Sequence, residues 1–262
     1  MKNIDVIIPT FNSEKTIEKA LNSIVLANEE SMNTKVKVLI ADGGSKDGTI
    51  NKIDSYDKDL DIEIVSHKDI NAEEGMSKGF NASSGDYIMI LGSDDYLSKD
   101  YLLEFENTII KDKDILFPSS MKIIKVDSNG NSKVKRTKYA RKFKFFHRYT
   151  IPLPGLGWIV KGSSLRDFVI KRGGMLYNNS CTLSSDNEVL FSMLKAGWNY
   201  TFMDNINTCY YFVEGGRSSS DLITVTYEAC RIACENSKNF NIDIKLIYYL
   251  RRQLIRLTKL IR

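Results

Sequence analysis

The feature that most restricts this chain is a rhythm in its first half. A short apolar run is followed by a helix-like segment, and the pair recurs. The apolar runs cover residues 4–8, 36–41, 62–65 and 87–91. Each is four to six residues long and bounded by polar or turn-forming residues, the length of a buried strand rather than a helix. Strands separated by helices return to the same sheet edge, so the pattern predicts an α/β fold with a mostly parallel central sheet. Pro9 ends the first run, and Asn12 or Ser13 is placed to cap a helix to about residue 27, with Ile17, Leu21, Ile24 and Val25 as its apolar stripe. Asp47 or Thr49 opens a second helix, and residues 73–82 and 99–111 read as two more.

Beyond residues 115–118 the alternation weakens. Residues 127–131 read as a hairpin turn between strands at 121–126 and 133–137, and a further helix covers 185–196. With no internal repeat or low-complexity linker, the simplest parse is one domain over 1–220. Its halves are about 1–118 and 119–220, and a basic, amphipathic helical extension follows at 221–262.

Three acidic residues follow predicted strands: Asp42 after the second, Asp94 and Asp95 after the fourth. Open α/β sheets gather ligands at the carboxyl ends of their strands. Adjacent carboxylates repel, and a divalent cation removes the conflict; hard oxygen ligands suit Mg2+ or Mn2+. A plainer reading of Gly92-Ser93-Asp94-Asp95 is a turn with a helix cap. The glycines of residues 43–48 match neither the phosphate-loop pattern nor the dinucleotide fingerprint.

Taken together, Ile7-Ile8-Pro9-Thr10-Phe11-Asn12, residues 41–49, Ser84-Gly85-Asp86-Tyr87-Ile88 and Leu91-Gly92-Ser93-Asp94-Asp95 resemble family-two glycosyltransferases in order, spacing and strand-end placement. Glu74-Gly75-Met76-Ser77-Lys78-Gly79 resembles an element of one bacterial subgroup, with Glu74 and Ser77 as departures. The resemblance spans residues 4 to 220 and implies a GT-A, Rossmann-like fold. It implies that Pro9, Thr10 and Asn12 border a nucleotide, that Asp42 bonds the base, and that Asp94 meets the ribose or donor sugar. By the same resemblance Asp95 would coordinate Mn2+ or Mg2+ across the diphosphate, while Lys78 and Arg217, the latter in Glu214-Gly215-Gly216-Arg217-Ser218, would approach that diphosphate. Asp186 at a helix start would be the general base, with Glu188 in reserve. Ser185 stands where relatives often carry Glu, and Ser185 or Asp186 can also be read as an N-cap. Lys78 reads equally as a solvated helix lysine, and Arg217 as an exposed loop arginine.

The implied activity is metal-dependent, inverting transfer from a UDP- or GDP-sugar to a glycan hydroxyl. The glycan would be a bacterial surface polysaccharide such as O-antigen or capsule, its acceptor a polyprenyl-diphosphate-linked intermediate. A noncatalytic sugar-nucleotide or polysaccharide-binding module is the rival reading, and a sugar nucleotidyltransferase a weaker one, because Pro9-Thr10-Phe11-Asn12 offers no Arg-containing glycine loop.

Net charge is only +4, so nothing global calls for nucleic acid. Locally, eight Lys and Arg residues crowd residues 133–148 among aromatics. In the last helix Lys245, Arg251, Arg252, Arg256, Lys259 and Arg262 share one side, and Leu246, Ile247, Leu250, Leu254, Leu257 and Ile261 another. Such a helix either lies on an anionic membrane or packs its apolar side on the domain. The N-terminal run is too short and charged for a leader, and no stretch nears the ~20 apolar residues of a membrane span, so a cytoplasmic, peripherally membrane-bound protein is expected. Cys181, Cys209, Cys230 and Cys234 lack paired spacing and lie far in sequence from His67 and His147, which reads as buried thiols rather than zinc ligands. Trp158 and Trp198 line the acceptor side or pack in the core.

Overall fold

The computed structural model of the chain describes every residue except 67–70, 128–130, 141–149, 154–155, 178–180, 182, 206–207, 215–220, 238–240 and 261–262, with the backbone alone at 66 and 258–260. Its first part runs β1 (Lys2–Thr10), α1 (Ile17–Glu30), β2 (Thr34–Asp42), α2 (Thr49–Asp54), β3 (Asp61–Ser66), α3 (Ala72–Ala82) and β4 (Tyr87–Ile90). Next come β5 (Tyr96–Leu97), α4 (Tyr101–Ile109), β6 (Ile115–Phe117), β7 (Ser120–Val126) and β8 (Ser132–Tyr139). The chain continues with β9 (Ile159–Lys161), α5 (Gly162–Lys171), α6 (Ser185–Lys195), β10 (Tyr200–Phe202) and β11 (Cys209–Val213). Two helices follow, α7 (Leu222–Glu235) and α8 (Ile242–Leu260).

The main sheet has the order β10-β6-β9-β4-β1-β2-β3. Its four earliest strands are mutually parallel, as the crossover helices require. β1 sits at the centre of these four, and Ile4, Val6, Ile7 and Ile8 are fully buried, so alternate side chains meet apolar cover on both faces. Gly79 on α3 makes that cover close: a Cβ there would sit 2.5 Å from Ile7 Cγ2. Asp5, the one carboxylate buried in this strand, accepts the N–H groups of Ser84 and Gly85, both at 2.7 Å, and so ties the start of β4 to β1.

A boundary drawn at residue 118 does not divide this sheet. β9 inserts antiparallel between β4 and β6, and β10 extends the edge beside β6. The second sheet, β5-β11-β7-β8, combines a short strand from directly after Asp95 with the hairpin expected near residues 121–137. The hairpin turn lies outside the described residues.

The first helix starts later than expected. It opens at Ile17, with Thr16 as an N-cap that makes no side-chain capping bond. The residues expected to cap it are engaged elsewhere: Asn12 takes a left-handed conformation (φ 51°) and Ser13 turns its N–H to Thr49 Oγ1. α3 follows the rule instead, with Asn71 accepting from Glu74 N at 2.9 Å. Trp158 is buried in the core and Trp198 packs edge-on to Phe168 at its margin, so both serve packing. Of the four free thiols only Cys181 and Cys209 are buried, and Cys230 and Cys234 are half-buried.

A candidate active site at the strand tips

Three strand tips are laced together by short polar contacts. Thr10, the last residue of β1, donates to Asp42 Oδ1 at 3.0 Å at the tip of β2. Ser13, in the loop after β1, lies Oγ to Oγ 2.8 Å from Ser93, in the loop after β4. Asn12 completes the lacing by donating its N–H to Ser45 Oγ and accepting from Lys46 N, each at 2.9 Å. The residues after β1, β2 and β4 thus border one crevice at the carboxyl edge of the sheet, the place where such sheets bind ligands. Pro9 and Thr10 lie on its floor, Pro9 half-buried and Thr10 buried.

Asp42 is buried and accepts four hydrogen bonds from its own chain: from Thr10 and Ser45 hydroxyls on Oδ1, and from the Gly44 and Ser45 N–H groups on Oδ2. An ionised carboxylate has about four lone-pair sites, and these are filled. Asp42 shapes the glycine loop, and Gly44 (φ +87°) supplies the left-handed turn that lets the loop close over it.

The two aspartates after β4 have different surroundings. Asp94 is half-exposed, and partial burial raises its carboxyl above the usual range. Asp95 is buried, receiving the Tyr210 hydroxyl on Oδ2 and the Val213 N–H on Oδ1 at 2.8 Å, both from β11. Burial first, then the neighbouring Asp94 charge, push Asp95 up to about 7. Both Asp95 oxygens accept from protein donors in the interior, whereas Asp94 is half-exposed. Gly92 is needed beneath them, because a Cβ there would come within 2.8 Å of Asp95 Oδ2 and 3.1 Å of Asp94 Oδ1.

The second half reaches this edge through α3. Glu73, on its first turn, is buried and accepts from Ser185 Oγ at 2.9 Å, which fixes the first turn of α6 beside the sheet edge. Glu73 thus brings a carboxylate from another element to Ser185. Asp186 follows, half-buried on the same turn. Glu188, expected as a reserve base, accepts from Arg172 Nη2 at 2.8 and 3.1 Å and from Ser192 at 3.0 Å. The buried Tyr177 hydroxyl lies in the field of Asp186, Glu73 and Glu188, and burial, then those charges, hold it well above its ordinary value.

Lys78 forms an i,i+4 ion pair with Glu74 at 3.0 Å and is less than a third exposed. Arg217, His67 and His147 lie outside the described residues. Tyr210, Val213 and Glu73 were not anticipated from sequence. Tyr210 sits in a plain aromatic strand, and only its separation of 115 residues from Asp95, closed by folding, gives it a role.

This architecture has known counterparts. The model of the family described as "Glycosyl transferase family 2" matches residues 5–172. Abequosyltransferase RfbV of Salmonella typhimurium is 34% identical over 116 residues, 43% of this chain and 34% of that protein; this chain thus spans about a third of its length. The crystal structure of S. aureus TarS 1-349 in complex with UDP-GlcNAc superposes with a TM-score of 0.64 at 20% identity, covering 94% of this chain and 69% of that one. The mannosyltransferase PcManGT from Pyrobaculum calidifontis, in complex with GDP-Man and Mn2+, gives a TM-score of 0.62 at 16% identity, covering 96% of this chain and 69% of that one. At such identities these two structures speak for the GT-A fold alone, whereas the family match covers more than half of this chain. On that match, and with strand-tip motifs that meet in one crevice, the chain belongs to glycosyl transferase family 2.

Proposed function

We propose that this chain transfers a sugar from a nucleotide-diphosphate donor to a glycan hydroxyl, using the crevice at the tips of β1, β2 and β4. The lacing of those tips by Thr10–Asp42 and Ser13–Ser93 supports the reading, because it brings the loop that carries Asp94 beside the glycine loop. Pro9, Thr10 and Asn12 border the nucleotide, and the loop held by Asp42 offers it backbone groups.

A divalent cation fits this crevice on one condition. Among the described residues no cluster of three His, Cys, Asp or Glu side chains could hold a metal. Among the described residues, Asp94 is a half-exposed carboxylate at this edge. Mg2+ and Mn2+ tolerate this, since Mg2+ commonly binds through one or two carboxylates together with substrate phosphates and water. When bound, such a cation offsets charge on the departing diphosphate. Asp94 would hold it, and Asp95, kept by Tyr210 and Val213, would position the loop. Lys78 approaches the same phosphates once it leaves Glu74, and Arg217 would do so from its own loop.

Asp186 would take the proton of the acceptor hydroxyl as it attacks the anomeric carbon. Attack from the face opposite the leaving group inverts the configuration. Glu73 and Ser185 hold the turn that carries Asp186. The donor would be a UDP- or GDP-sugar, and the acceptor a surface-polysaccharide intermediate, carried on a polyprenyl diphosphate.

Such an acceptor places the enzyme at a membrane surface. No helix among the described residues is long and apolar enough to cross one. α8 packs on α7 through Ile244 and Tyr248, yet Leu246, Ile247, Leu250, Leu254 and Leu257 are 45–63% exposed beside Arg251 and Arg256. In this reading the helix gives one face to the domain and offers the other to an anionic bilayer. Replacing Leu250, Leu254 and Leu257 by Glu should abolish sedimentation with anionic vesicles; unchanged sedimentation rejects the membrane contact.

The decisive experiment is a donor panel with manganese, read for both binding and product. Asp186→Asn should bind donor normally and lose transfer by about 10³-fold, within the range of general-base loss. Near-normal turnover in that variant would remove Asp186 from the mechanism, and donor binding without transfer or hydrolysis in the parent chain would favour a noncatalytic module.

A further inference from the structure

An open surface groove of about 590 Å³ lies between α1, β5, β7 and β11. None of the residues that form the crevice lines it. The two sites share strands instead. Tyr210 and Tyr211 are consecutive on β11, so their side chains leave opposite faces; Tyr210 turns to Asp95 and Tyr211 to this groove.

The wall carries an ordered stack. Lys19 Nζ lies 3.9 Å over the Tyr96 ring, Tyr96 stacks on Tyr211 at 4.4 Å with the planes 8° apart, and Lys122 Nζ lies 5.3 Å from the Tyr211 centroid. Aromatic faces attract ammonium groups, so the stack fixes two cations on one groove. Neither Lys19 nor Lys122 has a carboxylate partner among the described residues. Lys99 joins them in the lining, and the single lining carboxylate, Asp100, is engaged by Asn205 and Thr208. Partial burial lowers Lys19 from its ordinary value, the sign of a cation held without compensation.

The arrangement also selects the body of the ligand. Tyr96 and Tyr211 spend ring faces on each other and on the lysines, so a nucleobase finds no free stacking platform. The lining also holds Asn22 and Ser98, although Ser98 Oγ already accepts from Cys209 N. The volume lies in the range of small-ligand sites. We propose that this groove binds an anionic saccharide, a sugar carrying phosphate or carboxylate, at a site separate from the donor crevice. The inference stands whether or not the donor reading holds.

Titration calorimetry on the full chain tests it with glucose 6-phosphate, glucuronic acid and neutral glucose. Saturable binding of at least one acidic sugar, at least tenfold tighter than glucose, is expected, and the tighter of the two names the preferred anion. The double variant Lys19→Met/Lys122→Met should lose at least tenfold in that affinity, while Lys35→Met, an exposed lysine on β2, should stay within twofold. UDP with manganese should not compete. No saturable binding of either acidic sugar, equal binding by the double variant, or displacement by UDP would each overturn the assignment.

Discussion

The tip of β2 and the tip of β4 each bury an aspartate, and they satisfy it by different means. Asp42 takes three of its four hydrogen bonds from the two residues Gly44 and Ser45 and the fourth from the adjoining strand. Its environment is built by the local turn. Asp95 is satisfied by Tyr210 and Val213, more than a hundred residues away, and stays next to a second carboxylate. The first arrangement makes a rigid loop; the second holds a carboxyl raised to about 7 behind one that faces the crevice. Two buried aspartates at strand ends are therefore satisfied in different ways, one locally and one across the fold.

The largest effect should separate Asp94 from both. Asp94→Asn should lower kcat/KM by about 10³, the scale of lost electrostatic stabilisation at a reacting centre, with the thermal midpoint close to the parent's. If Asp95→Asn is instead the variant that loses metal-dependent turnover while Asp94→Asn keeps it, the division of roles is reversed.

Asp42→Ala should act on stability. It strands two N–H groups and two hydroxyls, and chemical denaturation should show a loss of about 3 kcal/mol, with each buried unpaired group costing roughly 1–3 kcal/mol before relaxation. A loss below about 1 kcal/mol would mean that water replaces the carboxylate and that the loop is not held as described.

Tyr210→Phe keeps the ring and deletes one donor to Asp95. Unfolding free energy should fall by about 1–2 kcal/mol, the cost of one hydrogen bond to a buried charged group. The same deletion at a fully local site would leave the β4 loop unmoved, so protection of the Asp94 and Asp95 amides from hydrogen exchange should drop only if β11 supports that loop.

The last effect is a pH slope. Because the folded Asp95 carboxyl is raised above its unfolded value of 3.8, the folded chain holds an extra proton between these values, and stability declines as pH rises from about 4 to about 7. Asp95→Asn removes that proton. The difference in stability between variant and parent should therefore move in the variant's favour across this window, by a few kcal/mol at most (about 1.4 per unit). A flat difference from pH 4 to pH 8 would show that Asp95 titrates normally.

Local pattern in the sequence determined the alternation of strands and helices, and the strand-end placement of Asp42, Asp94 and Asp95, because burial of short apolar runs and the length of crossovers leave few other solutions. The hairpin at β7 and β8 and the start of α6 were legible for the same reason. Asn12 and Ser13 misled because a capping residue looks the same whether its partner is its own helix or the loop after β2. Tertiary structure alone decided which partners these acids meet. Arg172 closes Glu188, Tyr210 and Val213 close Asp95, and Glu73 reaches across to the turn of Asp186, each through a contact between elements whose local sequences carry no mark of it. The physical reason is that backbone preference acts over a few residues, whereas the availability of a carboxylate depends on which donors folding brings within hydrogen-bond reach.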